Sequence, residues 1–218
     1  MAALPAFTFD YVDVVVVVWL IIGIIRGRKR GMTQELLPTM QWVAILFLAG
    51  LFYHPLADII FSNTGGAFNR LWANVTGYLL IAVGIHMAVL WIKQVIGEKL
   101  TGSDMFGRWE YYFGMISGLV RFACIVLVLI ALMHARIYSA AELAETEKMQ
   151  KRNFEDIRFP TYGSVQHAVL AESFTGRLVE DNMSKLLISS TTPVSKPTET
   201  IAKKREDTIN AILGTPKK

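Results

Sequence analysis

The sequence predicts an all-α integral membrane protein: a bundle of four transmembrane helices followed by a helical, partly flexible C-terminal tail. The first observation behind this prediction is composition, because 53% of the 218 residues are hydrophobic and only 18% are charged. Soluble domains are about a quarter charged. The second is the presence of four apolar runs, each close to the ~20 residues that cross a hydrocarbon core of ~30 Å. The runs lack the alternation of barrel strands, so helices are expected.

The four apolar runs define a membrane domain that we place at residues 1–138. The first run includes "YVDVVVVVWLIIGII", in which aromatic and branched residues extend a stretch of five valines to the length of a membrane helix. Polar residues inside the runs are few and lie mostly near their ends. The expected spans are about 9–25, 36–53, 71–92 and 118–138.

Cations are concentrated in the first and third of the loops that connect these spans. The third loop carries Lys93, Lys99 and Arg108, whereas the second has a single cation. Loops rich in Lys and Arg stay in the cytoplasm, so the N-terminus and the tail are expected outside. Binding of nucleic acid or anionic lipid by the first loop is the alternative, but topology alone explains its charge. The topology-determining residues of the first loop are Arg26, Arg28, Lys29 and Arg30.

The remainder of the chain is more polar and divides into two segments. Residues 139–188 are predicted to be helical and in part amphipathic, because Leu170, Phe174 and Leu178 recur at every fourth position. Such a stripe usually packs on the protein's own core, which we favour over an interfacial or partner-docking helix. Residues 189–218 are interpreted as a linker and a short terminal helix.

No residue pattern indicates catalysis or cofactor binding. Nucleotide-binding, zinc-protease and hydrolase motifs are missing from the sequence, and its four histidines show no ligand spacing. One cysteine, Cys124, lies within an apolar run and excludes a disulfide framework. We therefore expect no catalytic residue, no cofactor and no metal, and we expect that the protein is not an enzyme.

Ionisable residues within the predicted spans are the most informative, because charge in lipid is costly. Glu35 at the start of the second span and Arg121 near the start of the fourth lie in the same shallow layer, and we predict that they pair. The alternative is that Glu35 lies near Arg30 while Arg121 reaches lipid phosphates. His86, in the third span, has no acidic partner in that span and is interpreted as a structural hydrogen-bonding group rather than a proton relay.

A small-residue step precedes the fourth span. Gly114 and Gly118 form a G-x-x-x-G motif, which allows two helix backbones to approach closely. The sequence leaves open whether this contact lies within one chain or between copies of it.

An aspartate, Asp10 or Asp13, stands beside the first span, and Arg30-Gly31 is followed by Glu35 in the pattern R-G-x-x-x-E. Together with the features above, this pattern resembles the colicin V production protein family of bacterial inner-membrane proteins. The segment "GRWEYYFGMISGLVR" is similar to an acidic residue followed by G-x-x-x-G-x-x-R. The family usually has Asp at the first of these positions and Gly where this chain has Phe122. The residues placed in this second motif are Glu110, Gly114, Gly118 and Arg121.

The resemblance implies a four-helix protein of the bacterial inner membrane that is linked to toxin production or export and to envelope homeostasis. It implies no reaction. The first hypothesis is accordingly an accessory or scaffold protein. The alternative is a small oligomeric channel or transporter with a polar path near Glu35 and Arg121. The expected partners are the lipid bilayer and either another membrane protein or further copies of the chain, and nucleic acid is not expected.

Overall fold

The computed structural model of the chain describes residues 10–64, 69–101, 107–154 and 159–191, and in these ranges it contains helices and no strands. The linker and terminal helix predicted at residues 189–218 lie, from residue 192 onward, outside the described residues. Two π-helical turns, Ile45–Ala49 and Ala168–Glu172, and two 3-10 turns, Gly107–Trp109 and Ser184–Leu186, accompany the α-helices. The α-helices are α1 Tyr11–Ala44, α2 Gly50–Asn63, α3 Arg70–Thr101, α4 Glu110–His134, α5 Ala140–Phe154, α6 Tyr162–His167 and α7 Phe174–Met183.

Helix α1, the first π-helical turn and α2 follow one another without a loop over 53 residues, Tyr11–Asn63. A straight helix of that length would extend about 80 Å, far more than one hydrocarbon core. Gly31 interrupts it, with φ 76° and ψ 167°. This left-handed φ suits glycine because it has no Cβ atom. Gly31 separates a first arm, residues 11–30, from a second arm, residues 32–63.

The contacts with α4 show that the chain reverses direction at Gly31. Along the first arm, Gly27 faces Gly114, and Gly23 faces Gly118, so this arm runs antiparallel to α4. The second arm runs parallel to α4. Its Thr39 hydrogen-bonds Ser117 near the start of α4, whereas Ile45 and Leu46 share a core cluster with residues farther along that helix, including Cys124 and Val128.

This geometry corrects the prediction of a charged first loop. The residues from Arg26 to Arg30 are helical and form the last turn and a half of the first arm. The reversal itself occupies a single residue, Gly31. Charge is compatible with a helix at this point because long cationic side chains at a helix end can extend toward the membrane interface.

Helix α3 packs against the second arm in the antiparallel direction. The backbone of Gly77 lies beside Tyr53 and Ala57. Farther along, the amide nitrogen of Gln41 lies 2.8 Å from the Nδ1 atom of His86. His86 is therefore engaged in a hydrogen bond across two helices, as its structural interpretation requires.

Three helical segments are long and apolar enough to cross a membrane, judged by length and composition: Tyr11–Asn63, Arg70–Val95 and Gly107–His134. Their surfaces agree with that role. The exposed residues of the first arm include Val14, Val17 and Ile21, whereas its buried residues are Asp13 and two glycines. A soluble protein shows the opposite distribution, so this surface is suited to lipid.

The tail packs on the bundle, but the stripe predicted from Leu170, Phe174 and Leu178 does not lie on one continuous helix. Ser173 adopts an extended conformation and separates the second π-helical turn from α7. Leu170 is buried as predicted, but Leu178 is 44% exposed while its neighbour Val179 is buried. The break at Ser173 changes which face of the following helix points inward. Leu170, Val179 and Leu187 of the tail join a core cluster with Ile130 and Ala131 of α4.

The close approach of the first arm to α4 leads to a prediction about Gly27. We expect Gly27→Ala to destabilise the protein by about 1 to 3 kcal/mol, because a Cβ atom there would overlap the backbone of Gly114. The measurement is thermal unfolding in mild detergent followed by circular dichroism.

The matched control is Gly84→Ala in α3, because a Cβ atom at Gly84 meets nothing within 4 Å. We expect this variant to unfold at the wild-type temperature or slightly above it, since alanine favours helix. Equal unfolding temperatures for the two variants would contradict the packing described for the first arm.

Candidate functional site: a buried ion network and a docked tail

Glu35 is the centre of the candidate site, with a side chain that is only 1% exposed. The Nη1 atom of Arg121 donates a hydrogen bond to Glu35 Oε2 at 2.8 Å. The Nη1 atom of Arg30 donates to Glu35 Oε1 at 3.2 Å. The predicted pair with Arg121 is therefore present, and so is the contact with Arg30 that was considered as its alternative.

The local fold explains why three charged residues meet in this position. Arg30 and Glu35 lie on either side of the reversal at Gly31, which brings their side chains together. Arg121 lies three turns into α4 and is 18% exposed. A buried charge without a partner is strongly destabilising, so the carboxylate stabilises Arg121 within the apolar bundle. The network links the first arm, the second arm and α4.

Where the first arm and the reversal contact α4, next to this network, lies a set of glycines that we call the glycine seam. Gly114 and Gly118 of α4 pack against backbone atoms of the first arm and of the reversal, so the G-x-x-x-G step is used within one chain. Small residues of this kind allow the close helix approach that membrane helices use for packing. The glycine seam consists of Gly23, Gly27, Gly31, Gly114 and Gly118.

Two members of the glycine seam, Gly23 and Gly27, were missed in the sequence. The signal was present, because Gly23, Gly27 and Gly31 recur at intervals of four residues and therefore share one helix face. Because cations lie between these glycines, the segment was predicted to be a loop rather than a helix face.

The remaining candidate residues lie around the same end of the bundle. The carboxylate of Glu110 covers the reversal, and a Cβ atom on Gly31 would be 2.8 Å from Glu110 Oε1. Arg26, Arg28 and Lys29 are exposed on the last turns of the first arm and do not join the ion network.

At the opposite end of the first arm, Asp13 binds the beginning of α7. This carboxylate is 2% exposed and accepts hydrogen bonds from the backbone N–H groups of Phe174 and Thr175, each at 3.0 Å. The hydroxyl of Thr175 donates a third bond at 2.7 Å. Helix N-termini expose unpaired N–H groups and carry partial positive charge, both of which a carboxylate stabilises. Asp13 therefore fastens the tail to the first arm.

A second set of contacts holds the end of the tail. The hydroxyl of Tyr53, in the second arm, accepts a hydrogen bond from the backbone N–H of Ser189 at 2.7 Å. The Nδ1 atom of His134 lies 2.8 Å from the carbonyl oxygen of Ile188. Residues 187–191 thus bridge the second arm and the end of α4.

The contacts at these positions are hydrogen bonds and ion pairs between parts of the chain. In the part of the chain that the structure describes, no three His, Cys, Asp or Glu side chains form a group that could hold a metal ion. The polar groups just described donate to or accept from one another, and they join elements that are far apart in the sequence.

Apolar-surfaced helices, a tight helical hairpin and a charged network buried between helices define a helical membrane protein. Within that class, residues 12–151 match the family model described as Colicin V production protein. The chain belongs to this family. Comparisons with the curated proteins and with the solved structures found no match.

The contact of Asp13 with α7 leads to a prediction about the tail. Asp13→Ala removes the three hydrogen bonds that α7 donates to this carboxylate, each of the kind worth about 1.5 to 3 kcal/mol. We expect backbone amides of residues 174–183 to exchange at least about tenfold faster, measured by hydrogen–deuterium exchange and mass spectrometry. Asp181→Asn, an exposed position on the same helix, is the matched control. Unchanged exchange in Asp13→Ala would show that Asp13 does not hold the tail.

The ion network leads to a prediction about its members. Glu35→Gln should destabilise the protein by about 3 to 5 kcal/mol, because it leaves Arg121 buried without its counter-ion. Arg30→Gln should lower the stability much less, because Arg30 is the more exposed cation and Glu35 still pairs with Arg121 in that variant. The double variant Glu35→Gln/Arg121→Gln should be more stable than Glu35→Gln alone. Unfolding midpoints in detergent test this order, and additive losses in the double variant would argue against the pair.

Proposed function

We propose that the chain is a non-enzymatic accessory or scaffold protein of the bacterial inner membrane that supports colicin V production or export and envelope homeostasis. The family supports the link to colicin V production by its description. The proposed roles in export and in envelope homeostasis, and the location in the inner membrane, rest on the resemblance of the sequence motifs to this family.

We further propose that the bundle crosses the membrane four times, since the 53-residue segment folds back at Gly31 into two arms. The Gly31 end of both arms, with the cations of residues 26–30, then lies in the cytoplasm. The loop between α3 and α4 lies on the same side. The N-terminus and the tail lie on the outer side, which agrees with the binding of Asp13 to α7.

The observation that carries the scaffold proposal is that Glu35 is buried and ion-paired within the network. Transport paths contain ionisable groups that can reach the transported species. Glu35 is instead almost fully buried and is bound by two arginines, so its charge supports helix packing. The ion network and the docked tail give a rigid bundle, and we infer that such a bundle holds partner proteins in place.

The alternative, a small oligomeric channel or transporter with a polar path near Glu35 and Arg121, has less support. A channel requires contacts between copies of the chain, and the sequence offered the G-x-x-x-G step of Gly114 and Gly118 as a candidate for that contact. Both glycines pack against the first arm of their own chain. Copies would therefore have to associate through the apolar outer surface of the bundle.

Two assays on the full chain test this proposal against the channel. In a colicin V-producing strain that lacks its own family member, expression of the wild type is expected to restore toxin release. In proteoliposomes, the same protein is expected to leave imposed proton and potassium gradients intact. Glu35→Gln should lower toxin release only in proportion to its lower protein level. A gradient that collapses with the wild type and is retained with Glu35→Gln would overturn the scaffold proposal in favour of the channel.

A further inference from the structure

A groove of about 830 Å³ lies between the first arm and the beginning of α4, at the Gly31 end of the bundle. Two cations, Arg28 and Lys29, line one part of it, and two tyrosines, Tyr111 and Tyr112, line another. Its apolar wall is formed by Ile24, Ile25 and Met115. Pockets of about 300 to 1,000 Å³ hold small molecules, so the groove has room for a lipid headgroup and the upper part of its chains.

The charges of this groove are available to a ligand. Across the described ranges 10–64, 69–101, 107–154 and 159–191, Arg28 and Lys29 form no salt bridge, in contrast to the neighbouring Arg30, which binds Glu35. Both side chains are exposed. The groove therefore combines two cations with a wall that has no compensating carboxylate among its lining residues.

The position of the groove indicates which kind of anion it would take. Ile25 is 51% exposed and continues the apolar surface of the first arm, which includes Ile21 and Ile22. The two tyrosines are each about 60% exposed, as aromatic residues at a membrane–water boundary are. The groove thus changes from apolar to cationic along its length, as a phospholipid changes from acyl chain to phosphate.

We propose that this groove is a binding site for one anionic phospholipid, with its phosphate at Arg28 and Lys29 and its acyl chains against Ile24, Ile25 and Met115. Tyr111 and Tyr112, on the α4 side of the groove, then lie beside the headgroup. The proposal requires that the chain lies in a membrane, but it does not depend on the scaffold role. It assigns to two of the cations a function beyond topology.

The test is native mass spectrometry of the full chain in mild detergent, with dioleoyl phosphatidylglycerol and dioleoyl phosphatidylcholine as probes. The wild type is expected to retain one phosphatidylglycerol in preference to phosphatidylcholine. Each basic residue near an anionic lipid contributes about fivefold in affinity. The variant Arg28→Gln/Lys29→Gln should therefore bind phosphatidylglycerol at least about tenfold more weakly.

The matched control is Arg26→Gln/Arg108→Gln, which removes the same charge near the same end of the bundle but leaves the groove lining intact. It should bind phosphatidylglycerol almost as well as the wild type. A third variant, Met115→Trp, fills the groove without a change of charge and should also lose the lipid. This variant decides the question if the groove double variant does not fold.

Three results would overturn the proposal. Equal losses in the groove and control double variants would show diffuse attraction rather than a site. Equal retention of the two lipids by the wild type would remove the requirement for an anion. Displacement of the bound lipid by millimolar inorganic phosphate or by a short single-stranded DNA would show that the cations bind a soluble anion or a nucleic acid.

Discussion

The contact between glycine backbones of the first arm and of α4 is the constraint on which the rest of the structure depends. At Gly23, Gly27, Gly114 and Gly118, a Cβ atom would overlap the opposite helix. Lipid gives helices little hydrophobic reason to associate, so close backbone approach must supply much of the attraction by dispersion. This approach brings the reversal at Gly31 next to the start of α4. The ion network and the groove are both consequences of that position.

The charged residues of the bundle that the structure describes are concentrated towards its two ends. At the Gly31 end, Glu35 satisfies two arginines, and the exposed cations and tyrosines form the groove proposed for lipid. At the other end, Asp13 and Tyr53 bind the tail. The described residues between these ends are mostly apolar or small. The two ends of the bundle therefore differ in chemistry: one carries the ion network and exposed cations, and the other holds the chain's own tail.

The apolar runs and the ion pair could be predicted from sequence because both follow from local composition. Length and hydropathy locate helices that cross lipid, and a carboxylate and an arginine in the same layer have a strong reason to meet. The helices extend beyond the predicted spans, as α3 does to Thr101, since hydropathy detects the lipid-embedded part and not the hydrogen-bonded helix around it.

Other features could not be predicted because they depend on distant residues or on one backbone angle. Asp13 and Thr175 are 162 positions apart, and nothing in the pattern of either segment indicates their contact. The reversal depends on the left-handed conformation of Gly31, in a segment with two similar glycines that remain helical. The break at Ser173 is a local cap, but the every-fourth-residue spacing around it concealed it.

The central claim is that residues 11–63 form a hairpin rather than one long helix. The most direct test is the distance between spin labels at Val15 and Leu51, two exposed positions, measured by pulsed electron paramagnetic resonance in a Cys124→Ala background. Packed helices lie 8 to 10 Å apart, so the hairpin predicts a label separation below about 25 Å. A separation near 54 Å, the length of about 36 residues of straight helix, would contradict the account.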